Sequence, residues 1–222
     1  MNFHSDHHTV KVEKTGHYYT IGQLSDTTEY IWLVCHGYGQ AADRFIQKFR
    51  KLNPNQHYVI APEGLHRFYW GGVHGQVVAS WMTSKDRLDE IREHTNFIHH
   101  VLSAHRRPEH KLIFLGFSQG VATVARYIAT FQPAFAHLIL WAGTFPRDID
   151  PNAIDLAFKG VPIHLFYGDR DQYLTHDIIN AELQHYQSRK LKIRGIPYHG
   201  EHKIDSDLIV EFAKKFLFDG DS

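Results

Sequence analysis

The sequence predicts an α/β protein with a mostly parallel central sheet and helices on both faces. Strand-like segments alternate with helical patterns along the chain, and several of those strands are continuous apolar runs, as expected for strands covered on both sides. The 222 residues are 43% hydrophobic and 14% aromatic, which supplies apolar surface for one large core. We therefore expect a single domain over residues 1–222.

The first 29 residues predict a β-hairpin at an edge of the sheet. TVKVEK (9–14) and HYYTIGQL (17–24) both alternate apolar and polar side chains, and Thr15 with Gly16 between them fits a tight turn.

After this hairpin the chain alternates between buried strands and helices. The strands are predicted at 30–37, 57–64, 111–118, 135–143, 161–168 and 191–198. The helices are predicted at 41–52, 85–104, 119–131, 175–188 and 203–217.

A long loop is predicted over residues 63–84. It contains LHRFYWGGVHGQVVASWM, which is rich in glycine and aromatic residues. Loops of this length inside a compact domain are usually functional, so we expect this one at the active site.

The composition excludes several classes of partner. Lys plus Arg equals Asp plus Glu, 24 against 24, so no net field attracts nucleic acid or an anionic membrane. The single cysteine, Cys35, leaves no internal disulfide. The 19 histidines are scattered and match neither HExxH nor a CxxC pattern, so we expect no metal and no cofactor.

The start of the chain, MNFHSDHHTVKVEK, lacks the apolar run of a signal peptide, and no segment is long enough to span a bilayer. The expectation is a cytoplasmic protein without integral membrane association, either a monomer or a homodimer.

The chemically interesting residues follow the predicted strands, where ligands bind in open α/β sheets. GFSQG (116–120) stands between a strand and a helix, the setting of the nucleophile elbow of α/β-hydrolases, and this assigns Ser118 as a nucleophile. The alternative interpretation is a serine that only caps the following helix.

A serine nucleophile needs a general base and an acid that orients it, in the chain order Ser, acid, His for this fold. GDRDQYL offers Asp169 or Asp171, and HGEH offers His199 or His202. We favour Asp171, which stands further into its loop, and His202, which stands far enough along to reach Ser118.

Backbone N–H groups must also bind the oxyanion of a tetrahedral intermediate. The residue after the nucleophile, Gln119, supplies one, and HGYGQ after an early strand places Tyr38 between two glycines for the second. An ordinary turn is the alternative interpretation of HGYG.

Several motifs together resemble the phospholipase/carboxylesterase family of α/β-hydrolases, which includes acyl-protein thioesterases and small bacterial carboxylesterases. These motifs are VCHGYG, the loop ending in SWM, FLGFSQGVATVARY, AGTFP, YGDRDQYL and YHGEH, and the resemblance covers about residues 30–217.

The resemblance implies Ser118 as nucleophile, Asp171 as acid and His202 as base, with Tyr38 and Gln119 as oxyanion donors. It places the family's Ser-Trp pair on Ser80 and Trp81 and a residue bordering the acyl pocket on Phe145. The acid loop departs from the family's DPVVP pattern, since Gln172, Tyr173 and Leu174 follow Asp171.

The sequence thus predicts a serine carboxylesterase for small-molecule esters of short-to-medium acyl chains. Trp70, Trp81 and Phe145, with Phe68 and Tyr69, are predicted to form the apolar wall of its substrate site. The alternatives are an acyl-protein thioesterase or lysophospholipase, another hydrolase such as a peptidase, a non-catalytic binding module on the same fold, and a metal-binding protein.

Overall fold

The structure, a computed structural model, describes residues 4–218, so residues 1–3 and 219–222 of the predicted domain lie outside the described residues. The strands are β1 Tyr18–Ile21, β2 Tyr30–Cys35, β3 His57–Pro62, β4 His66–Trp70, β5 Gln76–Ser80, β6 Lys111–Phe117, β7 His137–Trp141, β8 Ile163–Gly168 and β9 Ile193–Tyr198. The helices are α1 Ala42–Phe45, α2 Arg87–His105, α3 Gln119–Phe131, α4 Pro151–Phe158, α5 His176–Ser188 and α6 Ser206–Phe212.

Seven strands form one sheet in the order β1-β3-β2-β6-β7-β8-β9, in which only β1 runs antiparallel to its neighbour. The chain crosses from β2 to β3 on one side and to β6 on the other, so the carboxyl ends of β2 and β6 flank a switch point where such sheets bind ligands. The predicted α/β fold, a mostly parallel sheet in a single domain, is confirmed.

Apolar side chains on both faces of the strands build two cores. In β2, Ile31 and Leu33 pack on the face covered by α2 and α3, whereas Trp32 and Val34 pack on the face covered by α1 and α6. All six residues of β2 are buried. Burial on both faces explains why this strand is a continuous apolar run rather than an alternating one.

The predicted N-terminal hairpin is wrong. Residues 9–14 form no strand, and Val10 and Val12 are 85% and 79% exposed. The second predicted strand forms as β1 but pairs with β3 instead. Alternation alone does not make a strand, because the apolar side of residues 9–14 has no core to pack against.

The predicted loop at 63–84 contains a β-hairpin. Strands β4 and β5 pair in antiparallel register from His66 with Ser80 to Trp70 with Gln76, as a separate two-stranded sheet. Gly71 and Gly72 turn the chain with φ of +83° and +97°. Two five-residue strands around a glycine-rich turn resemble a loop in sequence because each is too short for a clear pattern.

Two further helical segments differ from expectation. Helix α4 was not predicted; it begins after Asp150, whose side chain accepts the Asn152 N–H at 2.9 Å, and has Pro151 in its first turn. The predicted helix 41–52 is a short α1 followed by a 3₁₀ turn at Ile46–Phe49.

Among the described residues, no helix has both the length and the apolar content needed to cross a membrane.

Candidate active site

Ser118 lies at a sharp turn between β6 and α3. Its φ of 51° and ψ of −116° are values that residues other than glycine rarely adopt. Its N–H donates to the Trp141 carbonyl oxygen at 2.9 Å, which fixes the turn against β7. The Ser118 side chain makes no capping hydrogen bond to α3, so the helix-cap interpretation finds no support.

The two glycines of GFSQG allow the backbone segments around Ser118 to approach closely. A Cβ at Gly116 would lie 2.5 Å from the Val121 backbone nitrogen, and one at Gly120 would lie 2.1 Å from the Cys35 carbonyl oxygen. Larger residues would therefore push α3 away from β6 and β2.

The loops after β8 and β9 bring Asp171 and His202 together. Asp171 Oδ2 lies 2.7 Å from His202 Nδ1, and its Oδ1 accepts the N–H groups of Tyr173 and Leu174 at 2.8 and 3.1 Å. The Asp171 side chain is completely buried, whereas 19% of the His202 side chain is exposed. The carboxylate therefore fixes the imidazole with Nδ1 protonated, which leaves Nε2 free to act as a base.

The rival residues also form a pair. Asp169 Oδ2 lies 2.8 Å from His199 Nδ1, but the His199 side chain is 78% exposed and that of Asp169 is 41% exposed. The two carboxylate–imidazole pairs thus differ in burial. The lower exposure of the Asp171–His202 pair favours it as the pair able to work away from bulk water.

The His202 ring packs between two aromatic residues. Its centroid lies 5.1 Å from that of Phe117, the residue before Ser118, and 4.9 Å from that of Tyr173. These contacts bring the imidazole to the elbow. Tyr173, which is 67% exposed, is a contact that the sequence does not predict, although its place after Asp171 departs from the family's DPVVP pattern.

The two backbone N–H groups that the sequence predicts as oxyanion donors, those of Gln119 and Tyr38, have no acceptor among the described residues. Gln119 is the first residue of α3, so no helical carbonyl accepts its N–H. In the loop after β2, the Gly37 N–H donates to Gln40 Oε1 at 2.9 Å and the Gly39 N–H to the Ala79 carbonyl at 3.0 Å, while no acceptor within residues 4–218 takes the Tyr38 N–H.

The loop after β2 is fixed by His36, which is fully buried. Burial lowers the pKa of His36 below 6.5, so the ring is neutral at pH 7. Its Nδ1–H donates to the Gly37 carbonyl at 2.8 Å, and its Nε2 accepts the Gly64 N–H at 3.0 Å. A Cβ at Gly37 would lie 2.9 Å from the Phe117 ring, so this loop adjoins the elbow.

The Gln119 side chain ties the elbow to the segment after β5. Its Oε1 accepts the Trp81 N–H at 3.1 Å, and its Nε2–H donates to the Met82 carbonyl at 2.9 Å. The Trp81 indole N–H in turn donates to the His36 carbonyl at 2.8 Å. Trp81 has no exposed surface, so its predicted contact with substrate does not fit the structure, in which it supports the loop after β2.

Trp70 is exposed and belongs to an aromatic cluster over the same loop. Its ring centroid lies 5.9 Å from that of Tyr38 and 6.1 Å from that of Phe68, and 55% of Trp70 is exposed. Gly39, with φ of +72°, allows the Trp70 ring to lie against the backbone. This position next to Tyr38 is compatible with the predicted substrate contact.

Phe145 is only 5% exposed and packs against Phe158 and Tyr186, with centroids 4.8 and 5.1 Å away. Its N–H donates to the Tyr186 hydroxyl at 3.0 Å. Burial, with a hydrogen bond to Glu182, raises the pKa of Tyr186. Phe145 lines a cleft of about 440 Å³ with residues of α4 and α5, and its role as a substrate-binding residue stays a prediction.

Within residues 4–218, no group of three or more His, Cys, Asp or Glu side chains is arranged to hold a metal ion.

The seven-stranded sheet with its strained serine turn after β6 places the protein among the α/β-hydrolases.

Comparisons with known proteins define the family. The chain belongs to the phospholipase/carboxylesterase family of hydrolases, whose model matches residues 18–218. No curated protein sequence matches the chain.

Solved structures share the fold at low sequence identity. Acyl-protein thioesterase 2 of Zea mays superposes with a TM-score of 0.68 at 17% identity, covering 91% of this chain and 98% of that one. The esterase PE8 gives 0.65 at 20% identity, covering 91% and 99%. SOBER1 of Arabidopsis thaliana gives 0.62 at 17% identity, covering 86% and 100%.

Proposed function

We propose that the protein is a serine carboxylesterase that hydrolyses small-molecule esters of short-to-medium acyl chains through an acyl-serine intermediate. The observation that carries the proposal is the Asp171–His202 pair, with 2.7 Å between Oδ2 and Nδ1 and a buried carboxylate. Its imidazole packs against Phe117, the residue before a serine in a strained turn. Ser118, Asp171 and His202 are its proposed catalytic residues.

In the first half-reaction, His202 Nε2 removes the proton of Ser118 Oγ as the oxygen attacks the ester carbonyl carbon. The Asp171 carboxylate accepts a hydrogen bond from His202 Nδ1–H and stabilises the imidazolium that forms. The N–H groups of Tyr38 and Gln119 donate to the oxyanion, each worth about 3 kcal/mol in the transition state by comparison with other hydrolases.

The tetrahedral intermediate then collapses, and the imidazolium gives its proton to the leaving alcohol oxygen as the ester C–O bond breaks. In the second half-reaction, His202 takes a proton from water, whose oxygen attacks the acyl-serine carbonyl carbon. Collapse of the second intermediate releases the carboxylic acid and returns the proton to Ser118 Oγ. The scheme uses no cofactor.

The substrate is proposed to lie against the exposed aromatic side chains beside Tyr38. Trp70 is 55% exposed, and its ring lies against Gly39, the residue after the proposed oxyanion donor Tyr38. A flat apolar surface at this point suits the hydrocarbon part of an ester. Action in the cytoplasm, as a monomer or homodimer, stays a prediction from the sequence.

A thioesterase is the second candidate, since the maize protein of similar fold is named an acyl-protein thioesterase. The same residues would attack a thioester carbonyl. A non-catalytic binding module is disfavoured, because such modules usually lack part of the catalytic set and here the Asp171–His202 pair is formed.

Steady-state hydrolysis of aryl esters and matched thioesters with acyl chains of increasing length tests this proposal. We expect turnover of esters with short-to-medium acyl chains, and a loss of about 10³-fold or more in Ser118→Ala, because the acyl-enzyme can no longer form.

The matched control is Ser188→Ala, an exposed serine at the end of α5, which should keep wild-type turnover. Ester hydrolysis that persists in Ser118→Ala would contradict the proposal. Turnover of thioesters far above that of esters would favour the thioesterase.

A further inference from the structure

The exposed Asp169–His199 pair lies on the same two loops as the Asp171–His202 pair. Asp169 precedes Asp171 by two residues, and His199 precedes His202 by three. With 41% and 78% of their side chains exposed, Asp169 and His199 are poorly placed for chemistry that excludes water. Their contacts indicate another use.

The Asp169 carboxylate holds the start of the loop that carries His202. Its Oδ1 accepts the Gly200 N–H at 2.9 Å, while its Oδ2 accepts a hydrogen bond from His199 Nδ1 at 2.8 Å. One side chain therefore binds both the backbone and a side chain of two successive residues. Hydrogen bonds to an ionised acceptor are roughly twice as strong as those between neutral groups.

Backbone contacts continue this connection between the two loops. The Asp169 N–H donates to the Tyr198 carbonyl at 3.0 Å, and the Arg170 N–H donates to the Gly200 carbonyl at 2.9 Å. A Cβ at Gly168 would lie 2.4 Å from the same Gly200 oxygen, so only glycine allows this approach. Residues 198–200 are thus bound along their length to the chain that leads into Asp171.

Asp169 carries its charge over the pH range in which a neutral imidazole can act as a base. The Gly200 N–H, followed by the His199 ring, holds the pKa of the Asp169 carboxyl below its usual value. The link between the loops is therefore intact wherever the enzyme works.

We propose that Asp169 is a positioning residue for His202: its carboxylate fixes His199 and Gly200, and so sets the path of the chain that presents the His202 imidazole to Asp171. This inference rests on the proposed function, because it gives His202 the role of base. Asp169 itself takes no proton from the substrate and touches no reacting atom.

The test compares Asp169→Ala, Asp169→Asn and His199→Gln with the wild type on one aryl ester. Turnover is counted per serine titrated by a fluorophosphonate, so that a partly unfolded preparation does not resemble a slow enzyme. Asp155→Ala is the matched control, since Asp155 is also an exposed acid in a hydrogen-bonded pair, with Arg189, but lies on α4.

We expect kcat of Asp169→Ala to fall about 10- to 100-fold with KM within about twofold, the scale on which small misplacements of catalytic groups act. Asp169→Asn keeps an oxygen for the Gly200 N–H and should restore most of kcat. His199→Gln should lose less than Asp169→Ala, and Asp155→Ala should match the wild type.

Two results would overturn the inference. Asp169→Ala with wild-type kcat would show that the link does not position His202. Asp169→Asn and His199→Gln that are each as inactive as Ser118→Ala would make Asp169 and His199 the catalytic pair. Hydrolysis that persists in Ser118→Ala, assayed in parallel, would instead contradict the proposed function.

Discussion

At the scale of single residues, Asp171 differs from Asp169 in what surrounds each carboxylate. Both face a histidine, but only Asp171 is buried, with its second oxygen taken by two backbone N–H groups. The sequence places both acids in the loop after β8 and favours Asp171. It could not show that the other acid also has a histidine partner, because that pairing depends on how two loops 30 residues apart meet.

Replacing Asp171 by asparagine should reverse the hydrogen bonding of His202. The Tyr173 and Leu174 N–H groups require an oxygen at the Oδ1 position, so the new amide NH₂ would face His202 Nδ1. The imidazole would then carry its proton on Nε2 and could not accept one from Ser118. We expect kcat to fall by about 10³- to 10⁴-fold with little change in fold.

Burst and steady-state kinetics of Asp171→Asn, with circular dichroism as a check of folding, measure this effect. The control is Asp177→Asn, an exposed acid in the first turn of α5, which should keep the wild-type kcat. A folded Asp171→Asn variant within tenfold of the wild type would show that another group orients His202.

Trp81 marks the limit of reasoning about single residues. Its place in the family's Ser-Trp pair predicts a substrate contact, yet the side chain is fully buried and its indole N–H donates to the His36 carbonyl. In the sequence, Trp70 and Trp81 are both tryptophans of the same segment, so nothing local distinguishes an exposed side chain from a buried one. Only packing decides that Trp70 is exposed and Trp81 is buried.

At the scale of elements, the sequence predicted the strands that are buried on both faces and failed where a segment is short or lies outside the main sheet. The continuous apolar runs of β2, β3 and β6 are unambiguous. The sequence predicts a loop where hairpin β4–β5 forms, and it predicts a strand at residues 9–14, whose valines are exposed. In both cases, local pattern gave no information on the packing partner.

The link between the elbow and the segment after β5 was also beyond sequence reasoning. The sequence predicts a role for the Gln119 backbone N–H alone, but the amide side chain of Gln119 binds Trp81 and Met82, which are 38 and 37 residues away. Through Trp81 and His36, this link reaches the loop that contains Tyr38. One side chain thus connects both proposed oxyanion donors.

At the scale of the whole molecule, several histidines are buried in neutral form. His94 on α2 is completely buried, its Nδ1 lies 3.3 Å from the Trp81 carbonyl, and its Nε2 has no hydrogen-bond partner among the described residues. Burial lowers the pKa of His94 to about 4 and that of His164 to about 3. The folded protein therefore resists protonation that the unfolded chain accepts near pH 6.5.

The free energy of unfolding should accordingly decrease as the pH falls from 6.5 toward 4. In this window the unfolded chain binds more protons than the folded one, so acid favours unfolding. For His94 alone, the free energy of unfolding should be about 2 kcal/mol lower at pH 5 than at pH 7. The reason is that pH 5 lies one and a half units below the pKa of 6.5 in the unfolded chain but above the pKa in the folded protein. Urea denaturation at pH 7 and pH 5 measures the difference.

In His94→Gln the loss of stability between these two pH values should be smaller than in the wild type by about this amount. His100→Gln, an exposed histidine on the same helix, is the control and should keep the wild-type difference. A His94→Gln variant that loses as much stability as the wild type would show that His94 is protonated in the folded state.

The central claim is that Ser118 is the nucleophile, and covalent labelling tests it most directly. The protein is treated with a fluorophosphonate, and the modified residue is located by mass spectrometry of peptides. The account predicts one label, on Ser118, that is lost in Ser118→Ala and strongly slowed in His202→Gln because the base is missing. A label on another residue, or full labelling of Ser118→Ala, would contradict it.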